Sequence, residues 1–237
     1  MVDNTYPGIL VSFEGGEGCG KTTQRDFLCA NLEAWGIEYV LVREPGSTTL
    51  GESIRELLLS CEYSPCSRAE LLLYEAARAQ LVEELIVPAL KARKIVVADR
   101  FIDSSIAYQG FGRSLGPKLV ETLNTFACSG VVPDISFLLA SASVNEGLGR
   151  ATANAADRIE QESLEFHTRV NRGFEYCALE YPNRIKVCSK GALPSFVARE
   201  IMETLRERFS NFFKGCEVEE QEYVRLDERV LGTKASI

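Results

Sequence analysis

Short, nearly unbroken apolar runs alternate along this chain with longer stretches whose apolar residues recur every three or four positions. The runs GILVSFE (8–14), EYVLVR (38–43), KIVVAD (94–99), DISFLLA (134–140) and RIKVCS (184–189) read as β-strands. They lack the apolar–polar alternation of a half-exposed strand, so they are expected to be covered on both faces. Stretches near 21–35, 49–60, 67–91, 116–129, 143–152, 157–179 and 193–213 read as helices, the third broken late by Pro88. This order predicts an α/β fold with a five-stranded parallel sheet flanked by helices. No internal repeat or Pro/Gly/Ser-rich linker divides the chain, so residues 1–212 read as one domain. Residues 213–237 are charged and weakly periodic and read as a C-terminal extension, surface-packed or partly disordered.

Composition narrows the classes. With 237 residues, 46% of them hydrophobic, the chain can fill a core. A formal net charge of −8 provides no overall basic footprint for nucleic acid. No apolar run approaches the roughly 20 residues that span a bilayer, and MVDNTYPG has neither the basic nor the apolar region of a signal peptide. Eight cysteines form no C-x-x-C pair, and His167 is the single histidine. Reduced thiols in a cytoplasmic protein are therefore expected, rather than a zinc site.

The chemistry begins at GGEGCGKT (15–22), which matches G-x-x-x-x-G-K-[ST] between a predicted strand and a predicted helix. Gly15, Gly16, Glu17, Gly18, Cys19 and Gly20 form a loop whose backbone N–H groups can cradle phosphates. Lys21 is placed for the β- and γ-phosphates, Thr22 for Mg²⁺, and Thr23 continues the helix start. Asp99 closes the apolar run KIVVAD, as the Walker-B-type metal-side acid of a P-loop NTPase does, although an Asp there can also be a turn former. An N-K-x-D guanine-reading motif is absent. These features specify a Mg-nucleoside-triphosphate site without choosing between an ATPase and a kinase.

A kinase needs a second pocket. Arg43 in VREPG and Arg100 after Asp99 both stand at carboxyl ends of predicted strands, where ligands of open α/β sheets gather. Tyr74 and Arg78 in LLLYEAARAQ are four residues apart on one helix and share a face. A ring and a guanidinium side by side suit a nucleobase. Core packing for Tyr74 and a solvated face for Arg78 are the plainer alternatives. Tyr108, Gln109 and Arg113 follow in a loop or short helix.

With these residues in view, the chain resembles the thymidylate kinase family, over residues 8 to about 205. The resemblance is carried by FEGGEGCGKTTQ, VREPGSTTLGESIRELLL, LLLYEAARAQ, VVADRFIDSSIAYQGFGR and DRIEQES, in that order. It implies a nucleoside monophosphate kinase-like P-loop fold with a small helical lid, ATP and dTMP as substrates, Mg²⁺ as cofactor, and a homodimer. It also implies roles. Arg43 and Arg100 match the arginines on the dTMP phosphate. Tyr74 stands where a phenylalanine usually stacks on thymine, and Arg78 matches a donor to thymine O4. Ser104, Ser105, Tyr108 and Gln109 match the stretch lining base and sugar, with Tyr108 crowding the 2′ position. Glu17 matches a loop carboxylate on the acceptor's sugar side. A loop with Glu17-Gly18 and no basic residue looks like the bacterial class that draws arginines from the lid, expected at about 147–160. There Thr152 and Asn154 stand where further arginines are common, leaving Arg150 or Arg158 for the catalytic role, unless Arg158 is only an ion-pair partner. A kinase of another nucleoside monophosphate and a non-catalytic nucleotide-binding relative are the alternatives.

Overall fold

The apolar runs gather into one sheet because each has apolar side chains for both faces. In the computed structural model, residues 6–140, 144–151 and 157–232 are described. The strands are β1 (Ile9–Glu14), β2 (Tyr39–Arg43), β3 (Ile95–Asp99), β4 (Ile135–Leu138) and β5 (Ile185–Val187), all parallel in the order β2-β3-β1-β4-β5. Along β1, Ile9, Val11 and Phe13 enter one core, while Leu10 enters the core on the opposite face. The helices are α1 (Lys21–Ala34), α2 (Thr49–Leu59), α3 (Ser67–Leu81), α4 (Val87–Lys91), α5 (Ile102–Ser105), α6 (Pro117–Ala127), α7 (Val144–Ala151), α8 (Leu164–Glu180), α9 (Pro194–Arg208), α10 (Ser210–Phe213) and α11 (Glu220–Gly232). Pairing sets Arg43 and Phe13 on either side of Asp99, which brings three chain segments to one row at the carboxyl edge.

Two stretches differ from the sequence reading. Pro88 does not break its helix. The chain passes from α3 to α4 through a π-turn over Val82–Ile86, whose wider ladder accommodates a proline that has no N–H to donate. The helix expected over 157–179 begins only at α8. Asp157 Oδ1 takes the N–H groups of Ile159 and Glu160 into a side-chain-capped turn, and Ser163 then caps α8 by accepting from Phe166 N. The segment after Asp99 continues from α5 into a π-helical stretch over Ile106–Gly112. The charged C-terminal stretch forms α11, where Tyr223 and Leu226, three residues apart, are buried in the core shared by α1 and α9.

Candidate active site

The strand β1 turns sharply into α1 through the glycine loop. Gly15 has φ 135°, and a Cβ there would lie 2.1 Å from the Leu139 carbonyl oxygen, so no larger residue fits. Lys21 Nζ donates to the carbonyls of Gly15 at 3.0 Å and Gly16 at 2.7 Å, drawing the loop around itself. No side chain caps α1, whose N-cap is Gly20, so its first-turn N–H groups are open to an anion.

Of the cavities that touch the glycine loop among the described residues, two bear on the phosphate and second-pocket residues. The larger, about 920 Å³, runs along Gly18 to Arg25, past Asp99, to the segment from Cys188 to Val197. The smaller, about 180 Å³, is lined by Tyr74, Arg78, Ser104, Ser105, Tyr108 and Gln109. Glu17, Glu44, Arg55, Arg100 and Glu160 line both and therefore stand where the cavities meet. Arg43 lines only the larger one, with its Nη2 2.8 Å from Glu52. Thr22 and Asp99 share the larger one, and Asp99 is paired with Arg25.

Glu17 is the hinge of the junction. Its Oε1 accepts from Arg100 Nη2 at 2.7 Å and from the Tyr108 hydroxyl at 2.6 Å. Burial pushes this carboxyl up, but Arg100 and Lys21 outweigh that and hold it at about 2. Arg100 also donates to the Gly15 carbonyl at 3.0 Å and lies over the Tyr108 ring, 5.0 Å from its centroid. Its own backbone has φ 70°, a left-handed conformation costing a non-glycine residue on the order of 1 kcal/mol or more. Its backbone N–H extends the β1–β3 pairing by donating to the Phe13 carbonyl at 3.1 Å.

Arg78 is 1% exposed, and all five of its N–H groups have protein acceptors. Nε donates to both Glu44 oxygens (3.1 and 2.9 Å). Nη1 donates to Glu75 (3.0 Å) and Asn124 (2.6 Å). Nη2 donates to Glu44 (2.5 Å), Ser105 Oγ (2.9 Å) and the Phe101 carbonyl (3.3 Å). The Tyr74 ring is half-buried, backed by Ile54, Leu58 and Ala77. Gln109 Nε2 is fixed at 3.0 Å by Glu70.

Arg158 lines neither cavity. Its Nη2 pairs with Glu70 at 2.7 Å, and its Nε donates to the Leu58 carbonyl at 2.8 Å. Arg113 shares the same carboxylate at 2.9 Å. Burial pulls Glu70 upward, yet its donors, Arg113 foremost, hold it below its ordinary value. The Arg150 backbone lies in α7. Its side chain, and Thr152 and Asn154 in full, lie outside the described residues.

Sequence reasoning missed several groups. Arg55 reads as one more charge on α2, yet it reaches the cavity junction, donating to the Pro45 carbonyl at 2.8 Å. Burial and the nearby Arg43 lower its affinity for its proton. Glu44 and Glu14 sit inside quoted motifs without an assigned role. Glu14 is wholly buried, accepting from Phe101 N at 2.8 Å and Ser104 Oγ at 2.6 Å. Burial, with Asp103 nearby, raises it to about 8. Only the packing around these acids distinguishes them from surface carboxylates.

Comparison with known proteins bears on this geometry. A family model described as thymidylate kinase matches residues 13–201. The chain belongs to the thymidylate kinase family. It is 51% identical to a thymidylate kinase of Fervidobacterium nodosum, over 74% of this chain and 87% of that one. It is 46% identical to one from Cutibacterium acnes, over 85% and 96%. The crystal structure of thymidylate kinase from Ehrlichia chaffeensis superposes with a TM-score of 0.69 at 35% identity, covering 84% of this chain and 98% of that chain. As a member of the thymidylate kinase family, the chain is an enzyme that phosphorylates dTMP in nucleotide biosynthesis. Among the described residues, no helix is long and apolar enough to cross a membrane.

Proposed function

We propose that the larger cavity holds ATP with its triphosphate on the glycine loop, and the smaller one holds dTMP. The observation carrying this reading is that both cavities share one set of walls, with Arg55 and Arg100 at the meeting point. The acceptor is a phosphate monoester, anionic at neutral pH, so it needs no strong base. Its oxygen attacks the γ-phosphorus in line as the bond to the ADP oxygen breaks. The residues' work is alignment and charge neutralisation.

In this reading Lys21 leaves the Gly15 and Gly16 carbonyls for the β- and γ-phosphates. Arg100 and Arg55 hold the acceptor phosphate, and Arg43 adds positive charge from the donor side. Glu17, kept ionised by Arg100 and Lys21, fixes both Arg100 and the Tyr108 hydroxyl and so faces the acceptor's sugar side. The Tyr74 ring stacks on the base. Arg78 reaches a base carbonyl by exchanging its bond to Ser105, while Ser104 and Gln109 complete the wall. Arg150 remains the proposed lid cation, since Arg158 is tied to Glu70.

A hydroxyl from Thr22 and a carboxylate from Asp99 form a hard-oxygen donor pair in one cavity, which suits Mg²⁺ with phosphates and water filling its other positions. Bound there, Mg²⁺ would neutralise charge on the triphosphate. A homodimer is supported by Leu72 on α3 with Leu119 and Phe126 on α6, all large, apolar and exposed on helices that pack together. Eight free thiols support a cytoplasmic location.

The test is ADP release with Mg²⁺ and dTMP, dUMP, UMP, dCMP or dGMP as acceptor. Turnover with dTMP, and less with dUMP, is the expected result. Equal turnover with dCMP would refute the Arg78 assignment, and binding without turnover would refute the catalytic one.

A further inference from the structure

The family match ends at residue 201, within α9, yet the chain builds two helices beyond it, the short α10 and the longer α11. The longer helix does two things at the far end of the larger cavity. First, it caps another helix. α9 begins at Leu193-Pro194 with no side-chain cap of its own. Asp227 supplies one from α11. Its Oδ1 accepts from Ser195 N at 2.9 Å and its Oδ2 accepts from Ser195 Oγ at 2.6 Å. From the other side, Gln24 Nε2 on α1 donates to the Pro194 carbonyl at 2.9 Å. Second, Val230, one turn on from Asp227, lines the same cavity as Gly191, Ala192, Leu193 and Pro194.

The glycine loop takes the phosphates, and the Arg55–Arg100 end faces the smaller cavity. The remaining end, from Cys188 to Val197, is therefore where the nucleoside of the donor lies. We infer that α11 is a built-in wall of the donor nucleoside subsite, with Asp227 as the positioning residue that sets the 188–194 loop. The inference rests on the reading of the larger cavity as the ATP site. Docking of α11 is independently secured: Tyr223 stacks 5.4 Å from Phe27, Arg199 lies 3.9 Å over Tyr223 and pairs with Glu220, and Trp35 Nε1 donates to the Glu217 carbonyl at 3.3 Å.

The experiment is steady-state kinetics on Asp227→Ala, Asp227→Asn and Val230→Trp, with protection of the α11 amides from hydrogen exchange reporting whether the tail stays docked. Asp227→Ala is expected to raise KM for ATP about three- to tenfold, as loss of a helix cap felt at the cavity wall. The KM for dTMP and kcat should stay within about twofold. Asp227→Asn, whose amide oxygen still accepts from Ser195 N, should restore most of the loss. Val230→Trp leaves the cap intact and should raise KM for ATP alone, which decides the matter if Asp227→Ala undocks the tail. An unchanged KM for ATP in docked variants, or equal rises for both substrates, overturns the inference. Lys21→Met separates the premise: if it binds ATP like the parent, the donor assignment fails regardless of α11.

Discussion

Replacing Arg78 by Met tests whether this side chain holds the acceptor pocket together as well as facing the base. Methionine keeps much of the volume and removes the guanidinium. Glu44 and Glu75 then remain buried without their cation, and Asn124 and Ser105 lose a donor. Breaking a buried ion pair from one side costs about 3–5 kcal/mol. For a chain of this size that corresponds to a Tm lower by about 6–20 °C. The sign of the pH dependence is also set. Burial already raises both carboxyls above 4.5 despite Arg78, and without it they rise further. The folded variant then binds protons that the unfolded chain has released above that value. Its deficit relative to the parent should be small near about pH 4.5 and grow as pH rises. Urea unfolding of both proteins at about pH 5 and about pH 7.5 measures this, and Glu75→Gln in the Arg78→Met background should recover part of the loss. Unfolding within about 1 kcal/mol of the parent at the higher pH, or a deficit equal at both, would refute the reasoning. If Arg78 also donates to the base, kcat/KM for dTMP falls by more than KM for ATP rises.

Glu17→Gln removes the charge from the carboxylate that accepts from both Arg100 and Tyr108. Because Glu17 is held at about 2, the parent should lose on the order of 3 kcal/mol as pH falls from 4.5 through about 2, and the variant should show a flatter acid limb in thermal unfolding. Arg158→Ala loses the Glu70 pair and the Leu58 carbonyl bond, so a stability drop of about 1–3 kcal/mol with kcat nearly unchanged is expected; a 100-fold kcat loss at full stability would make Arg158 the lid cation instead. Arg150→Ala, by contrast, should lower kcat by at least about 10³-fold, read in the same ADP-release assay. Asp99→Asn should raise the Mg²⁺ concentration for half-maximal activity at least about tenfold, as one of the two proposed oxygen ligands loses its charge.

The sequence alone determined the sheet, its five strands, the phosphate loop and the family, because these rest on local rules. Strands covered on both faces must be apolar throughout, a phosphate cradle needs glycines at fixed spacing, and the motifs recur in one order. It also named Tyr74, Arg78, Arg100 and Tyr108 as neighbours in a second pocket, and all four line one cavity. What it did not determine is which charges meet. Nothing local sets Arg158 against Glu70, 88 positions away, yet the two side chains pair at 2.7 Å. Arg55 is one of three charged residues on α2, and folding brings it to the junction of two cavities. Glu14 reads as any acid at a strand end, but complete burial beside Asp103 pushes its pKa up. Helix α11 shows weak periodicity, because Tyr223, Leu226 and Val230 carry its apolar contacts while α1 and α9 supply the other side. In each case the deciding quantity is burial or the nearness of a residue far along the chain, and neither is a property of a residue and its sequence neighbours.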